Sequence, residues 1–222
     1  MPNDEFLMTN ERMAFNKYTQ ELIEWNKKFN LTAITDPDQI QIKHFEDSLA
    51  LLQAIKLTNQ TIIDIGTGAG LPGIPLKIIC PEIKLTLLEA TKKKTEFLKH
   101  VTQVLELKNV AIVWTRAEEY AQYKIDSFDL AVARAVAKTN VLTELCLPFV
   151  KIGGLFIAYK EDLVEEEVNR AGYAIKILGG KLEDIKKVKV GDMIRSLVMI
   201  KKVAPTPAQF PRRPGLANKN PL

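Results

Sequence analysis

The fold of this chain is decided by the stretch Ile62-Ile63-Asp64-Ile65-Gly66-Thr67-Gly68-Ala69-Gly70-Leu71-Pro72-Gly73. It reads as a buried strand that ends in a glycine-rich turn, with a helix beginning directly afterwards. Glycines let the backbone turn tightly and let a ligand approach the main chain closely. In open α/β sheets, ligands bind at the carboxyl ends of the strands. The stretch therefore predicts a ligand site at the end of the first strand.

Short apolar runs alternate with helical segments from Thr61 onward. The predicted strands cover residues 61–65, 84–88, 110–114, 128–133 and 155–159, and the predicted helices cover residues 74–80, 92–107, 138–150 and 162–170. Such alternation is typical of parallel strands joined by right-handed crossovers. Two further runs, 185–190 and 196–202, have only Gly191 and Asp192 as a turn between them, which predicts an antiparallel hairpin. The predicted fold class is α/β, with an open, doubly wound, Rossmann-like sheet and the hairpin at one edge.

The two ends of the chain differ from this middle part. Apolar residues recur every three or four positions from Phe15 to Phe29, and a second helix begins at an Asp36 N-cap followed by Pro37. The last 18 residues contain five prolines, and the segment from Met193 onward has six basic residues and no acidic one. We therefore divide the chain into an N-terminal helical extension (residues 1–59), the sheet domain (60–203) and a basic, Pro-rich, extended C-terminal arm (204–222).

The residues around the glycine turn favour one ligand class over another. GxGxxG occurs at residues 68–73, as in dinucleotide-binding proteins, but Asp64 would repel a pyrophosphate, and Pro72 and Pro75 lack the N–H groups that a pyrophosphate uses. S-adenosylmethionine carries an ammonium and a sulfonium and no phosphate, so an acidic strand end suits it better. Glu89, at the end of the second strand, is placed to accept hydrogen bonds from ribose hydroxyls. A dinucleotide and a plain turn without ligand remain the alternatives.

Two other strand ends add candidate contacts. Ala117 and Glu118 follow the third strand, where an adenine edge would lie. Arg134 ends the apolar fourth strand beside the expected reaction point, although a buried ion pair would also explain it. From these strand ends and the turn we predict contacts to the cofactor at Asp64, Gly68, Glu89, Ala117, Glu118 and Arg134.

Composition excludes several classes of protein. Apolar residues make up 46% of the 222 residues and charged residues 26%, as in an ordinary soluble globule, and no apolar run approaches the length of a membrane span. The acidic start does not resemble a signal peptide. Cys80 and Cys146 stand far apart, and there are only two histidines, so neither a disulfide framework nor a metal site is predicted. We expect a cytoplasmic monomer, and the net charge of +4 hints at a polyanionic partner.

Four motifs occur together in an order that resembles a known family. They are residues 25–32 (Trp-Asn-Lys-Lys-Phe-Asn-Leu-Thr), residues 44–49 (His-Phe-Glu-Asp-Ser-Leu), the glycine turn through Pro75, and residues 133–136 (Ala-Arg-Ala-Val). From about Tyr18 to the C-terminus the chain is similar to the bacterial GidB/RsmG family of 16S rRNA (guanine-N7) methyltransferases. The resemblance implies a class I S-adenosylmethionine-dependent methyltransferase fold with an N-terminal helical extension. Carried over to this sequence, it implies cofactor contacts at Gly66, Leu71, Ala117, Glu118 and Arg134, with Glu89 in the ribose position. It also implies methylation of a guanine in the decoding-region loop of 16S rRNA, at position 527 of the standard rRNA numbering.

The residues after the fourth strand agree with an N7 acceptor. Enzymes that methylate amino groups of bases usually carry an Asp/Asn-Pro-Pro-aromatic loop there, which this chain lacks. Guanine N7 has a free lone pair at neutral pH and needs no general base, so catalysis would be mostly positioning. We expect Arg134 to be the catalytic residue, because it would orient cofactor and base together. It should reach guanine O6 alone or act on the cofactor side, since a contact to O6 and N7 together would block the reacting atom.

RNA contacts are harder to place from sequence. We predict them at His44, Asp47, Lys160, Arg212 and Arg213, with the substrate being 16S rRNA or the small ribosomal subunit. Trimming the chain after Pro205 should then weaken RNA binding and leave cofactor binding unchanged. Two other functions stay open: a non-catalytic RNA-binding module on a methyltransferase fold, and a small NAD-dependent dehydrogenase.

Overall fold

A computed structural model of the chain describes residues 9–134 and 137–222. Its centre is a seven-stranded sheet in the order β3-β2-β1-β4-β5-β7-β6. The strands are β1 Thr61–Ile65, β2 Lys84–Glu89, β3 Val110–Trp114, β4 Phe128–Arg134, β5 Val150–Glu161, β6 Gly180–Val190 and β7 Met193–Lys202. β1 to β5 are parallel to one another, and β7 runs antiparallel to both β5 and β6. The predicted parallel sheet and edge hairpin are confirmed.

Helices cover both faces of the sheet. They are α1 Thr9–Asn26, α2 Pro37–Ile40, α3 Asp47–Leu49, α4 Gly73–Ile79, α5 Lys92–Val104, α6 Ala117–Lys124, α7 Thr139–Cys146, α8 Glu165–Arg170, α9 Gly172–Ile177 and α10 Leu216–Lys219. The first five pack on one face, in a core that contains Tyr18, Ile74 and Phe97. The others pack on the opposite face around Leu142 and Phe156. Of these, α6, α9 and α10 were not predicted from sequence. None of the helices in the described ranges is long and apolar enough to cross a membrane.

The N-terminal helices depart from regular geometry at two points. α1 ends at Asn26 rather than near Phe29, because the Asn26 side-chain oxygen accepts hydrogen bonds from the N–H groups of Leu31 and Thr32 and turns the chain. The second helix starts as predicted, with Asp36 accepting from the Gln39 N–H. It then passes through a π-helical stretch, Gln41–Glu46, before α3. Such stretches occur frequently at functional sites.

The C-terminal segment is docked on the domain, which corrects the expected extended arm. The fully buried Lys202 donates hydrogen bonds to Leu147 O and to Thr206 Oγ1, and the Phe210 ring is buried. Further along, the guanidinium of Arg212 forms a bidentate ion pair with Glu144, whose side chain is 1% exposed. The tail therefore packs on α7 and completes the core there. The sequence did not indicate this contact, because Glu144 lies in a helix 68 positions before Arg212.

Replacing Arg212 with alanine is expected to lower the free energy of unfolding by about 3 kcal/mol, because removing one partner leaves the other charge buried and unpaired. Urea unfolding followed by circular dichroism measures this. The matched control is Arg213→Ala, since Arg213 is the next residue and is exposed; this change should cost less than about 0.5 kcal/mol. Equal losses for the two variants would show that the ion pair does not hold the tail.

Candidate functional site

The glycine turn follows β1 and needs glycine at three positions. The backbone of Gly66, Gly68 and Gly70 lies in the left-handed region, with φ of +65°, +60° and +93°. At Gly70 an added Cβ would lie 2.4 Å from Cδ1 of Ile74 and 2.9 Å from the Tyr18 hydroxyl oxygen. The Tyr18 hydroxyl donates a hydrogen bond to Ala69 O, so α1 holds the turn from behind. The conformation of this turn is therefore fixed both by its left-handed glycines and by its contact with α1.

Asp64 lies beneath the turn rather than in the space in front of it. Its side chain is fully buried, and Oδ2 accepts hydrogen bonds from Thr67 Oγ1 (2.6 Å) and Gly73 N (2.8 Å). Burial raises the pKa of this carboxyl to about 6. The expectation that Asp64 points its carboxylate at a ligand is therefore corrected: the group positions the turn and the start of α4.

The free energy of unfolding should fall as pH rises through the titration of Asp64, which is opposite to the usual effect of a carboxyl group. The folded-state pKa of about 6 exceeds the ordinary value of 3.8, so this carboxyl stabilises the fold below pH 4 and loses that contribution as pH rises through about 6. This increase in the pKa corresponds to a change of about 3 kcal/mol in the free energy of unfolding. In Asp64→Asn, whose amide oxygen can still accept from Thr67 and Gly73, we expect the free energy of unfolding between pH 4 and 7 to be flatter by about this amount.

Urea unfolding at a series of pH values measures the effect. Asp192→Asn is the control, because Asp192 is exposed in the hairpin turn. An unchanged pH profile in Asp64→Asn would contradict the prediction.

Glu89 is the acidic group that faces the space in front of the turn. Its Oε2 accepts from Gly68 N (3.0 Å) and its Oε1 from Thr91 N (2.8 Å). Each carboxylate oxygen therefore keeps acceptor capacity, since an ionised carboxylate has about four lone-pair sites. A carboxylate held rigidly in this way can accept two further hydrogen bonds from a vicinal diol.

A cavity of about 480 Å³ lies in front of the turn, and we call it the glycine-loop cavity. Its volume falls in the range of about 300–1,000 Å³ that is common for small-molecule sites. Its described lining consists of Leu31, Thr32, His44, Gly66, Thr67, Gly68, Ala69, Leu71, Glu89, Ala90, Lys94 and Arg134. The predicted residues Gly66, Gly68, Leu71, Glu89 and Arg134 are thus brought together.

The backbone N–H groups of the turn are bonded within the protein and leave few donors for a pyrophosphate. The N–H groups of Gly70 and Leu71 both donate to Thr67 O, that of Gly73 donates to Asp64, and that of Ile74 donates to Gly70 O. Pro72 and Pro75 have no N–H at all. The backbone donors at the start of α4 are therefore used within the protein, which argues against a dinucleotide bound as in GxGxxG proteins.

Arg134 ends β4 and is fixed by the helix opposite it. Its Nη1 lies 3.0 Å from Asp47 Oδ2 and donates to the carbonyl oxygens of Lys43 and His44. Arg195 of β7 holds the other carboxylate oxygen, with Nε 2.9 Å from Asp47 Oδ1. Asp47 is 5% exposed and has both oxygens engaged, so it orients the two arginines and does not present its carboxylate to RNA, which corrects the prediction for this residue.

A second cavity of about 270 Å³ adjoins the first through two shared residues, His44 and Arg134. We call it the charged cavity. It is lined by Lys43, His44, Asp47, Arg134, Tyr159, Lys160, Glu161 and Arg195. A ligand in one cavity can therefore be in contact with the same arginine as a ligand in the other.

His44 sits between the two cavities as a neutral imidazole. Burial and the positive charge of Arg134 lower its pKa to about 4. Nδ1 donates to Lys43 O at 3.2 Å, so Nε2 of the neutral ring is the acceptor and the Thr32 hydroxyl, 2.7 Å away, donates to it. His44 thus lines both cavities, as the predicted contact requires, but it brings no charge for a phosphate.

The remaining predicted residues lie outside the described lining of the glycine-loop cavity or are already bonded. Glu118, in the first turn of α6 after Ala117, accepts at Oε1 from the Gly215 N–H of the tail. Lys160 donates to Ala137 O and to Glu167 Oε1, and the Arg212 pair has been described above. These bonds correct the idea that Lys160 and Arg212 offer free charges to RNA, whereas Arg213 is exposed. Ala135 and Val136 of the fourth motif lie outside the described residues.

Sequence reasoning missed several residues of the site. Leu31, Thr32, Tyr159 and Arg195 line one of the two cavities. For Leu31 and Thr32 a signal existed, because they end the first of the four motifs. Arg195 carried no such signal, since only the antiparallel register of the hairpin brings it opposite Glu161.

Comparison with known proteins gives a consistent result. Residues 11–198 match the family described as rRNA small subunit methyltransferase G. The chain is 48% identical over 210 residues to the ribosomal RNA small subunit methyltransferase G of Alkaliphilus metalliredigens, covering 92% of this chain and 88% of that protein. It is 45% identical over 224 residues to the protein of the same name in Desulforamulus reducens, covering 98% and 93%.

Solved structures agree on the fold. A SAM-dependent methyltransferase from Aquifex aeolicus superposes with a TM-score of 0.56 at 16% identity, covering 75% of this chain and 94% of that chain. TYW2 from M. jannaschii, solved in complex with AdoMet, gives a TM-score of 0.57 at 18% identity, covering 71% and 74%. The predicted class I methyltransferase sheet is therefore confirmed.

Proposed function

From the premise that the chain belongs to the rRNA small subunit methyltransferase G family, we propose that it transfers a methyl group from S-adenosylmethionine to N7 of a guanine in 16S rRNA. The observation that supports this most directly is the glycine-loop cavity, which shares His44 and Arg134 with the charged cavity beside it. One cavity takes the methyl donor, and the other takes the base. The two shared residues mark where donor and acceptor meet.

The residues of the glycine-loop cavity fit S-adenosylmethionine. Glu89 would hold the ribose hydroxyls with the lone pairs that Gly68 and Thr91 leave, and the close backbone approach at Gly66 and Gly68 would accommodate the amino-acid part. The cationic groups of Lys94 and Arg134 would face its carboxylate. When bound, this cofactor supplies an activated methyl group on a sulfonium. We also keep Ala117 and Glu118 as proposed contacts to its adenine, with the tail holding Glu118 in place.

The groups around the charged cavity suit an acceptor that needs no deprotonation. His44 has a pKa of about 4 and is already hydrogen-bonded at Nε2, and the buried Asp47 carboxylate is ion-paired with two arginines. Neither is placed to take a proton from a base. Guanine N7 gives up no proton on methylation, so its reaction does not require a group that acts as a general base. Catalysis would consist of alignment, which can contribute about 7–11 kcal/mol to a barrier.

Arg134 is the residue proposed to orient the base. Its Nη1 is committed to Asp47 and to two carbonyl oxygens, so Nε and Nη2 are the donors left for the ligands, and we assign one of them to guanine O6. A single contact to O6 leaves N7 free to react. Within this proposal the target is the decoding-region guanine that the family resemblance implies, and the partner is 16S rRNA or the small ribosomal subunit, met by a monomer in the cytoplasm.

The decisive experiment incubates the purified chain with tritiated S-adenosylmethionine and either 16S rRNA or small subunits. We expect one methyl group per RNA, located by borohydride and aniline cleavage, which acts at 7-methylguanine. Label on an amino group would overturn the N7 assignment. Binding of the RNA without any transfer would favour a non-catalytic module, and a fluorescence change with NADH in place of S-adenosylmethionine would favour the dehydrogenase.

A further inference from the structure

Three lysine ammonium groups lie over aromatic rings beside the glycine-loop cavity. Lys28 Nζ is 5.8 Å from the centre of the Trp25 ring, Lys92 Nζ is 5.6 Å from Trp114, and Lys93 Nζ is 5.2 Å from Phe29. The pairs come from the end of α1, the start of α5 and the end of β3. We call this set the lysine–aromatic surface; its members are Trp25, Lys28, Phe29, Lys92, Lys93 and Trp114.

Trp114 is the most open ring of the set. It is 58% exposed, and its indole Nε1–H already donates to Ala90 O at 3.0 Å. The ring is therefore held by its polar edge, while its π-face meets solvent and the Lys92 side chain. An exposed ring whose polar edge is already bonded is held in one orientation and offers its apolar face for stacking.

The surface is continuous with the proposed active site. Trp114 pairs with Glu89 in the sheet, and Ala90, which accepts the indole hydrogen bond, lines the glycine-loop cavity. Lys94, which follows the two lysines of the surface, lines that cavity as well. A polymer whose base enters the site can thus reach the surface with its neighbouring nucleotides.

The charge on this surface is of one sign. Lys28, Lys92 and Lys93 are exposed, and among the residues that the structure describes none of them forms an ion pair. Lys92 and Lys93 also stand in the first turn of α5, where positive charge is unfavourable to the helix. Helix stability therefore does not account for them.

We propose that the lysine–aromatic surface binds a single-stranded segment of the RNA substrate next to the methylated base. Exposed aromatic faces on which bases stack, interleaved with cations that follow the phosphates, are the common chemistry of single-stranded nucleic-acid binding. A membrane or an acidic protein would be attracted by the lysines, but neither requires a rigid, edge-bonded indole. The inference rests on the proposed function, because the surface serves the same substrate.

The lysines are tested by RNA affinity as a function of salt. Lys92→Ala/Lys93→Ala should weaken binding of a fluorescent single-stranded rRNA fragment roughly fivefold or more and reduce the salt slope by about 1.4, the value for two phosphate contacts to a single strand. The matched control is Lys84→Ala/Lys108→Ala, which removes two exposed lysines near the opposite, amino ends of β2 and β3. Equal losses in both double variants would mean general charge attraction and would overturn the proposal.

Trp114 is tested by its own fluorescence. The chain has two tryptophans, both in the lysine–aromatic surface, and Trp114 is the more exposed, so RNA-induced quenching should fall in Trp114→Phe to the part that the partly buried Trp25 contributes. Trp114→Ala should weaken RNA binding about fivefold or more, with cofactor affinity by calorimetry unchanged within about twofold. Tyr173→Ala, which removes another exposed aromatic, is the control. Loss of cofactor affinity with unchanged RNA affinity would show that the indole serves the cofactor instead.

The same samples separate this inference from the proposed function. If the unaltered protein methylates rRNA and the variants bind it as tightly as the controls, only the surface is refuted. If the unaltered protein neither binds nor methylates rRNA, both proposals fall. Tighter binding to anionic vesicles than to RNA, lost in the lysine variant, would assign the surface to a membrane and overturn the inference.

Discussion

We expect turnover at saturating cofactor to fall at least tenfold when Arg134 is replaced by alanine. Arg134 lines both cavities and is the only cation that the described residues place in the two together. Its removal takes away the contact proposed for the base and also the three acceptor contacts that tie β4 to the second helix, at the carbonyl oxygens of Lys43 and His44 and at Asp47. A tenfold loss corresponds to about 1.4 kcal/mol of transition-state stabilisation.

Three measurements distinguish the base contact from a structural role. Single-turnover rates with 16S rRNA give the chemical step, calorimetry gives cofactor affinity, and thermal unfolding reports stability. Arg134→Lys keeps the charge and one contact to Asp47 but loses the planar group, so its rate should stay low while its stability recovers. Arg170→Ala removes an exposed arginine and should change nothing. A normal rate in Arg134→Ala at saturating cofactor would remove Arg134 from the reaction.

Replacing Gly70 with alanine is expected to abolish cofactor binding and to weaken the fold. Two costs add at this position. The left-handed backbone (φ +93°) disfavours any residue with a Cβ by about 1–2 kcal/mol. The new methyl group would also stand 2.4 Å from Cδ1 of Ile74 and 2.9 Å from the Tyr18 hydroxyl, so the turn and α1 must move apart. We expect a loss of about 3 kcal/mol or more in the free energy of unfolding, in line with overpacking of a core.

Gly153 provides the matched control for this change. It has almost the same backbone angle, φ +91°, but nothing lies within 4 Å of its added Cβ. Gly153→Ala should therefore show the backbone cost alone and leave S-adenosylmethionine affinity intact. Urea unfolding and calorimetry on both variants separate the two costs. Similar behaviour of the two variants would mean that the close contact at Gly70 is relieved without disturbing the turn.

The sequence was most informative where a local rule determines the structure. Alternating apolar runs predicted β1 to β5, the two-residue turn at Gly191 predicted the hairpin, and the glycines at 66, 68 and 70 predicted the sharp turn. Strand ends meet at one edge of a parallel sheet, so Glu89 and Arg134 could also be placed beside that turn. These predictions needed only periodicity, turn chemistry and sheet geometry.

Predictions failed where a long-range partner decides what a side chain does. Asp47 was expected to contact RNA, but Arg134 and Arg195, 87 and 148 positions later, bind its carboxylate. Arg212 was expected to reach RNA, but Glu144, 68 positions earlier, holds it. Burial and ion pairing of such groups depend on which helices pack together, and one sequence does not contain that information in local form.

The hydrogen bond from Tyr18 to Ala69 limits how far the chain can be shortened without losing activity. The hydroxyl that steadies the cofactor turn is delivered by the first helix, and its ring stacks on Phe45 at a centroid distance of 4.9 Å. Removing the residues before β1 would thus remove part of the active site together with the N-terminal helical extension. A shortened, Rossmann-only version should be inert, and transplanting the glycine turn into another scaffold would require carrying a tyrosine from outside the sheet along with it.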